Sequence, residues 1–286
     1  YEKAKVYSEK ATKKEQFYIE AAYSEAIENN REKRFRILQE IAEKYPEEKR
    51  VHFYLAVHYE GERNYSKAIE KYNLSLKLDP NYGDALNRFA YMYADMDDFE
   101  RAIAYFKKYA SVSPGDANPF DSMGEIYFRM GNLEEALAKY KEALEVRPDF
   151  YSSNWAVGYI NAYMENYPEA LKWLDRFIDQ APSAGIKAEG YWWKGFYHYW
   201  LGSLNRSLHE FRRAEELAES VGNDLLRAYT YWIKGWIYYN KGRIELSQRY
   251  FKNWFDSIIK IYPIYRPFYT AYNSFCLGLL GLKQKQ

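Results

Sequence analysis

Apolar residues in this chain return at helical spacing in short blocks, and a turn signal separates each block from the next. Over residues 117–150, Phe120, Met123, Gly124 and Tyr127 share one face of a first helix. Ala136, Tyr140 and Ala143 share one face of a second, and Gly131-Asn132 marks the turn between them. The arrangement recurs at a fixed interval. Pro46, Pro80, Pro114, Pro148 and Pro182 stand 34 residues apart, as do Ala68, Ala102, Ala136 and Ala170. Ala56, Ala90, Gly124 and Gly158 repeat in the same register. Small side chains let two helices approach closely, and proline closes each unit because it cannot continue a helix. The pattern predicts an all-α chain of helix–turn–helix pairs.

After residue 184 the interval lengthens. The segment YWWKGFYHYWLG at 191–202 returns as YWIKGWIYYNKG at 231–242. Gly195 and Gly235, Ser207 and Ser247, and Phe211 and Phe251 keep the same 40-residue step. The extra residues fall around Ala184–Ile186 and Ser220–Leu225. Lys194 and Lys234 occupy a column that is otherwise apolar, and are expected to carry exposed ammonium groups on long stems. A paired anion site is the alternative reading of these two lysines. Residues 1–14 read as a charged lead-in helix. After Tyr262-Pro263 a last helix, about 267–282, is apolar through Phe268, Tyr272, Phe275 and Leu279. It is expected to cover the final repeat with that face, as the end of a repeat array requires.

This spacing resembles the tetratricopeptide repeat (TPR), a 34-residue helix–turn–helix with fixed small and aromatic positions. The segments NPFDSMGEIYFRMGNLEEALAKYKEALEVRPDF and FERAIAYFKKYASVSP carry the resemblance most strongly. It implies an all-α, right-handed α-α superhelix, a TPR solenoid of about seven repeats with a C-terminal capping helix. The units expected are 15–48, 49–82, 83–116, 117–150 and 151–184, then two longer ones at 188–221 and 228–261 within 188–263. A capping helix and tail occupy 264–286. Unit 15–48 departs from the pattern, keeping Ala22 and Pro46 but placing Arg34 where alanine is usual. The wording of ALNRFAYMYADMDDFERAI and SPGDANPFDSMGEIYF is similar to the TPR halves of bacterial multidomain signalling proteins. That similarity implies a docking or sensor module serving a further domain. The chain begins with Tyr1 rather than Met, and is expected to be a piece of a longer protein.

Charge narrows the function classes. Acidic and basic residues nearly cancel, 40 against 41, so there is no basic stripe for nucleic acid and no polybasic membrane signal. No apolar run is long enough to span a membrane. The single cysteine, Cys276, excludes an internal disulfide framework and reads as a buried small hydrophobe. It is compatible with a cytoplasmic location; a periplasmic one stays open because a leader could precede Tyr1. His52, His58, His198 and His209 form no zinc or HExxH spacing, and no phosphate-binding glycine loop or nucleophile elbow is present. Asp95, Asp97 and Asp98 lie at an interhelix turn, where capping is the expected role. No catalytic residues, metal ligands or cofactor are expected, and the chain is read as a binding module rather than an enzyme.

In the family that the repeat resembles, the first helix of each unit lines a concave groove. Carried onto this sequence, the groove stripe is Asn87 and Tyr91, then Asp121 and Glu125, giving a polar and acidic middle. It continues as Trp155, Tyr159 and Tyr163, then Trp192, Phe196, Tyr199 and Trp200, then Trp232, Trp236 and Tyr239. Aromatic residues dominate interface energetics, so a peptide with apolar or proline anchors would suit this half. Two other readings stand beside it: the aromatics fill the core of the longer repeats, or the C-terminal helix folds back over them. Some family members grip the acidic C-terminal tails of chaperones with Lys, Arg and Asn. The equivalent positions here hold Phe53 and Val57, Asn87 and Tyr91, Asp121 and Glu125, which disfavours that partner. The expectation is a scaffold for a protein or peptide partner. Envelope or periplasmic assembly, and reception of a small ligand in an aromatic groove, are the alternatives.

Overall fold

Sixteen α-helices and no strands account for the ordered structure of residues 1–283, which the computed structural model describes; the last three residues of the expected tail, 284–286, lie outside the described residues. The chain divides into two units, Tyr1–Lys139 and Tyr140–Gln286. In the first unit α2 (Lys13–Ala26) pairs with α3 (Arg31–Lys44), α4 (Lys49–Gly61) with α5 (Tyr65–Leu78), and α6 (Gly83–Asp95) with α7 (Phe99–Val112). Then come α8 (Asn118–Arg129) and α9 (Leu133–Val146), the latter containing the division. The second unit pairs α10 (Tyr151–Tyr163) with α11 (Tyr167–Gln180), α12 (Ala184–Trp200) with α13 (Leu204–Ser220), and α14 (Asp224–Asn240) with α15 (Ile244–Ile261). It ends on α16 (Arg266–Lys283). Within the units the second helix of one pair also packs on the next helix, α3 on α4, α5 on α6, α7 on α8, α11 on α12, α13 on α14 and α15 on α16.

The columns of small residues sit where these helices touch. Ala56, Ala68, Ala90, Ala102, Ala136 and Ala170 are fully buried. A Cβ on Gly158 would lie 3.3 Å from the Ala170 carbonyl oxygen, so the helix backbones leave no room there. In the longer repeats the same contact gains a hydrogen bond. Ser207 Oγ donates to the Gly195 carbonyl at 2.7 Å, and Ser247 Oγ to the Gly235 carbonyl at 2.8 Å. Tyr72, Phe89 and Phe106 fill the core of the first unit; Phe211 and Phe251 are their counterparts in the second.

Turns between paired helices share one backbone solution. Asn29, Arg63, Asp97, Gly131 and Glu165, spaced by 34, all have positive φ between 50° and 80°, and Gly202 and Gly242 continue the series. In the first three of these turns the following residue caps the second helix with its side chain. Asn30, Asn64 and Asp98 side chains accept from the backbone N–H three residues on, Asp98 from Arg101 at 3.1 Å. That is the work of the Asp95–Asp97–Asp98 cluster in this structure, with Arg129 closing against Asp95 and Asp97 at 3.8 and 3.9 Å.

Three expectations need correction. The lead-in over 1–14 is not one helix but α1 (Glu2–Val6), a 3-10 turn at Ser8–Lys10 and an extended residue at Ala11. A capping box between Thr12 and Glu15 stops it by starting α2 at Lys13. Apart from the turn at Val221–Asn223, the extra residues of the longer repeats are helix, so α12 and α14 begin at 184 and 224, ahead of the expected unit starts at 188 and 228. Ser183 and Asn223 cap these extended ends. Each helix from α12 to α15 has 17 or 18 residues against 12 to 14 in α2–α11, roughly one added turn. Finally, α16 packs through Tyr269, Tyr272, Cys276 and Leu280, not through Phe268 and Phe275, which are 65% and 58% exposed. Cys276 is buried and its thiol is pushed up to about 11 by that burial.

Candidate functional site

In the first unit the expected polar stripe is a hydrogen-bonded seam between α6 and α8. Asn118 Nδ2 donates to Asn87 Oδ1 at 3.3 Å, and Tyr91 Oη lies 2.8 Å from Ser122 Oγ and 3.5 Å from Glu125 Oε2. Burial is the main cause pushing the Tyr91 phenol up to about 12, with the Glu125 and Asp121 carboxylates adding to it and Ser122 opposing. Asn87, Tyr91 and Asp121 are half-buried and Glu125 is exposed. The Asp121 and Glu125 carboxylates of α8 give this seam its negative charge.

In the second unit the aromatic stripe is half-buried except at Tyr163 and Trp200, which are exposed. Trp155 stacks on Tyr159 with centroids 5.2 Å apart, and both meet the edge of Trp193 at 6.4 and 6.3 Å. Trp192 stacks on Phe196 at 5.1 Å and lies edge-on to the buried Phe211 at 6.0 Å. Phe196 continues to Tyr199, whose hydroxyl accepts from Asn240 Nδ2 at 3.0 Å. Trp192 therefore contributes to the core as well as to a surface, and its indole nitrogen is buried without a hydrogen-bond partner.

Trp232, Trp236 and Tyr239 belong to a cluster with α16. Trp232 Nε1 donates to Tyr272 Oη at 3.2 Å, and Trp236 lies edge-on to Phe251 at 5.2 Å. Cys276 and Leu280 pack on this group, while Lys283 Nζ sits 4.1 Å from the Tyr239 ring centroid and donates to the Tyr239 carbonyl at 2.6 Å. The last helix covers this part of the stripe.

Between α10 and α12 the rings open into a cleft of about 420 Å³. Its walls are Tyr159, Tyr163 and Tyr167 on one side and Trp193, Tyr197 and Trp200 on the other, with Glu165 in the turn after α10. Sequence reasoning included Tyr159, Tyr163 and Trp200 but missed Trp193, Tyr197, Tyr167 and Glu165. The signal was available: in the WW pair at 192–193 both residues cannot face the same way on a helix.

The two lysines of the apolar column are ion-paired. Lys194 reaches Asp175 on α11 at 2.6 Å and Glu210 on α13 at 3.6 Å, and Lys234 pairs with Glu215 on α13. Both pairs join residues 19 apart, from a second helix to the next first helix. Lys234 is buried, so the exposed ammonium expected there is corrected, and the carboxylates leave neither lysine for a bound anion.

No helix among the described residues is long and apolar enough to cross a membrane. Comparison with known proteins bears on the repeat itself. A family model described as tetratricopeptide repeat matches residues 49–82, a second of that description matches 83–116 and 228–253, and one described as TPR repeat matches 124–165. No curated protein matches the chain. Among solved structures, MamA is similar at a TM-score of 0.51 and 20% identity, over 59% of this chain and 97% of that one. PilW, described as a type IV pilus biogenesis factor, is similar at 0.56 and 20%, over 71% and 90%. A tetratricopeptide repeat protein from Parabacteroides merdae is similar at 0.56 and 16%, over 84% and 92%. Identities this low speak to the fold, and the fold they share is the one that the repeat columns, close helix contacts and turn series describe here: the chain belongs to the tetratricopeptide-repeat proteins.

Proposed function

We propose that this chain is a protein-interaction scaffold that binds a peptide or partner segment along its first helices, with no catalytic step of its own. The observation that carries the reading is the half-exposed aromatic layer of α10 and α12. Trp155, Tyr159 and Trp193 pack ring against ring while staying partly exposed, and Trp200 is 53% exposed. Trp and Tyr are the residues most often found to dominate binding energy at protein interfaces. The finer reading is a docking module of a larger signalling protein in the cytoplasm. It is supported by the similarity of the central repeats to the TPR halves of bacterial signalling proteins.

The test is selection from a random peptide library on the immobilised chain, followed by anisotropy titration of the selected peptides. Micromolar, saturable binding is expected, and it should be lost in Trp200→Ala while circular dichroism and melting stay those of the wild type. Peptides that bind the variant equally well, or a library that yields no saturable binder, would overturn the proposal.

A further inference from the structure

We infer that the cleft between α10 and α12 takes the cationic side chain, lysine or arginine, of a bound peptide; the inference rests on the peptide-binding reading above and gives the anchor's chemistry. Three observations carry it. The first is the wall material. Tyr159, Trp193, Tyr197 and Trp200 surround the space with rings set at steep and shallow angles, Tyr159 to Trp193 at 77° and Tyr197 to Trp200 at 17°. Aromatic faces carry negative electrostatic potential and attract cations placed over them.

The second is charge. Glu165 is the one charged residue lining the cleft, and no lysine, arginine or histidine lines it among the described residues. Lys194, next to Trp193 on α12, is already held by Asp175 and Glu210. Among the described residues the Glu165 carboxylate makes no ion pair. An anionic anchor would meet like charge, and a cationic one would meet both a carboxylate and ring faces.

The third is an orphaned polar atom. Tyr197 is 1% exposed, lines the cleft, and its hydroxyl has no hydrogen-bond partner among the described residues. Burial pushes this phenol upward, so it remains an O–H whose oxygen can accept. A purely apolar anchor would leave that oxygen unsatisfied, at the usual cost of a buried unpaired group. The oxygen is shielded in the free chain, and a basic anchor brings to this wall of the cleft the N–H donor that it lacks. A cleft of about 420 Å³ admits either side chain.

The experiment uses the full chain with 15N-labelled tryptophan and follows the indole N–H resonances. The probes are end-blocked pentapeptides with lysine, arginine or norleucine at the centre of four glycines, and choline. Saturable shifts of Trp193 and Trp200, with Trp254 unmoved, are expected for a basic pentapeptide. They should appear at about ten-fold lower concentration than for the neutral norleucine peptide. Glu165→Gln should weaken the basic peptide several-fold and leave norleucine unchanged. Equal response to norleucine overturns the inference in favour of an apolar pocket. Saturation by choline with no response to either basic peptide also overturns it, in favour of a free small cation. Because these probes read the cleft alone, either failure leaves the library test of peptide binding standing.

Discussion

A left-handed turn residue costs most L-amino acids about 1–2 kcal/mol, yet Arg63, Asp97 and Glu165 hold that conformation where Gly131, Gly202 and Gly242 hold it without strain. The Arg63 backbone N–H donates to the Glu60 carbonyl at 2.8 Å, which a glycine would keep, and among the described residues its side chain makes no hydrogen bond or ion pair. Arg63→Gly should therefore raise stability by about 0.5–1 kcal/mol, the remainder being lost to the greater freedom of glycine in the unfolded chain. A thermal melt that falls instead would show that the side chain matters. His198 is a second single-residue test. It is buried, and its pKa is lowered first by desolvation, with Lys194 and Arg206 adding and Glu210 and Asp175 opposing. A depressed histidine favours the neutral form in the fold. Its contribution is fully present above the unfolded value of 6.5 and is lost as pH falls below it. Melting followed from pH 7.5 to 5 should fall more steeply for the wild type than for His198→Gln.

Among elements, the glycines separate close contacts from open ones. A Cβ on Gly235 would come within 2.7 Å of the buried Phe251 ring, whereas one on Gly278 in α16 would meet nothing within 4 Å. Gly235→Ala should cost about 1–3 kcal/mol by overpacking, and Gly278→Ala should gain about 0.5–1 kcal/mol from helix propensity alone. Opposite signs in urea midpoints check this; equal signs would contradict the packing described. The same contrast explains how much of the molecule was legible in the sequence. Columns such as Ala68–Ala102–Ala136–Ala170 are set by backbone contact, so they repeat with the fold and can be read by spacing alone. The face of α16 was misassigned because nothing repeats beyond it. Phe268 and Phe275 are as apolar as Tyr272 and Cys276, and one position's rotation decides which side is buried. The lysine pairs were hidden for a related reason, since Asp175 and Glu215 lie on neighbouring repeats and the sequence shows no pairing across 19 residues. The cleft was half-read: Trp193 and Tyr197 stand beside the family's groove positions, not on them.

For the whole molecule, a repeat array gains its stability from nearest neighbours. Removing α16 by ending the chain after Tyr262 strips Tyr269 and Tyr272 from Trp254 and Cys276 and Leu280 from Phe251. Amide exchange in α14 and α15 should then accelerate strongly while α4 to α7 keep their protection. Uniform acceleration along the chain would mean that the array unfolds as one cooperative block.

All eight tryptophans lie at or beyond Trp155, inside the unit that begins at Tyr140, while the first unit holds tyrosine and phenylalanine but no tryptophan. Excitation at the red edge of the indole band therefore illuminates one half of the protein and leaves the other dark. Emission recorded during heating reports the second unit, and the far-ultraviolet helix signal reports both. If the two curves superimpose, the halves melt together. If they part, the offset gives the melting order without a label, because the sequence has placed its own chromophores on one side only.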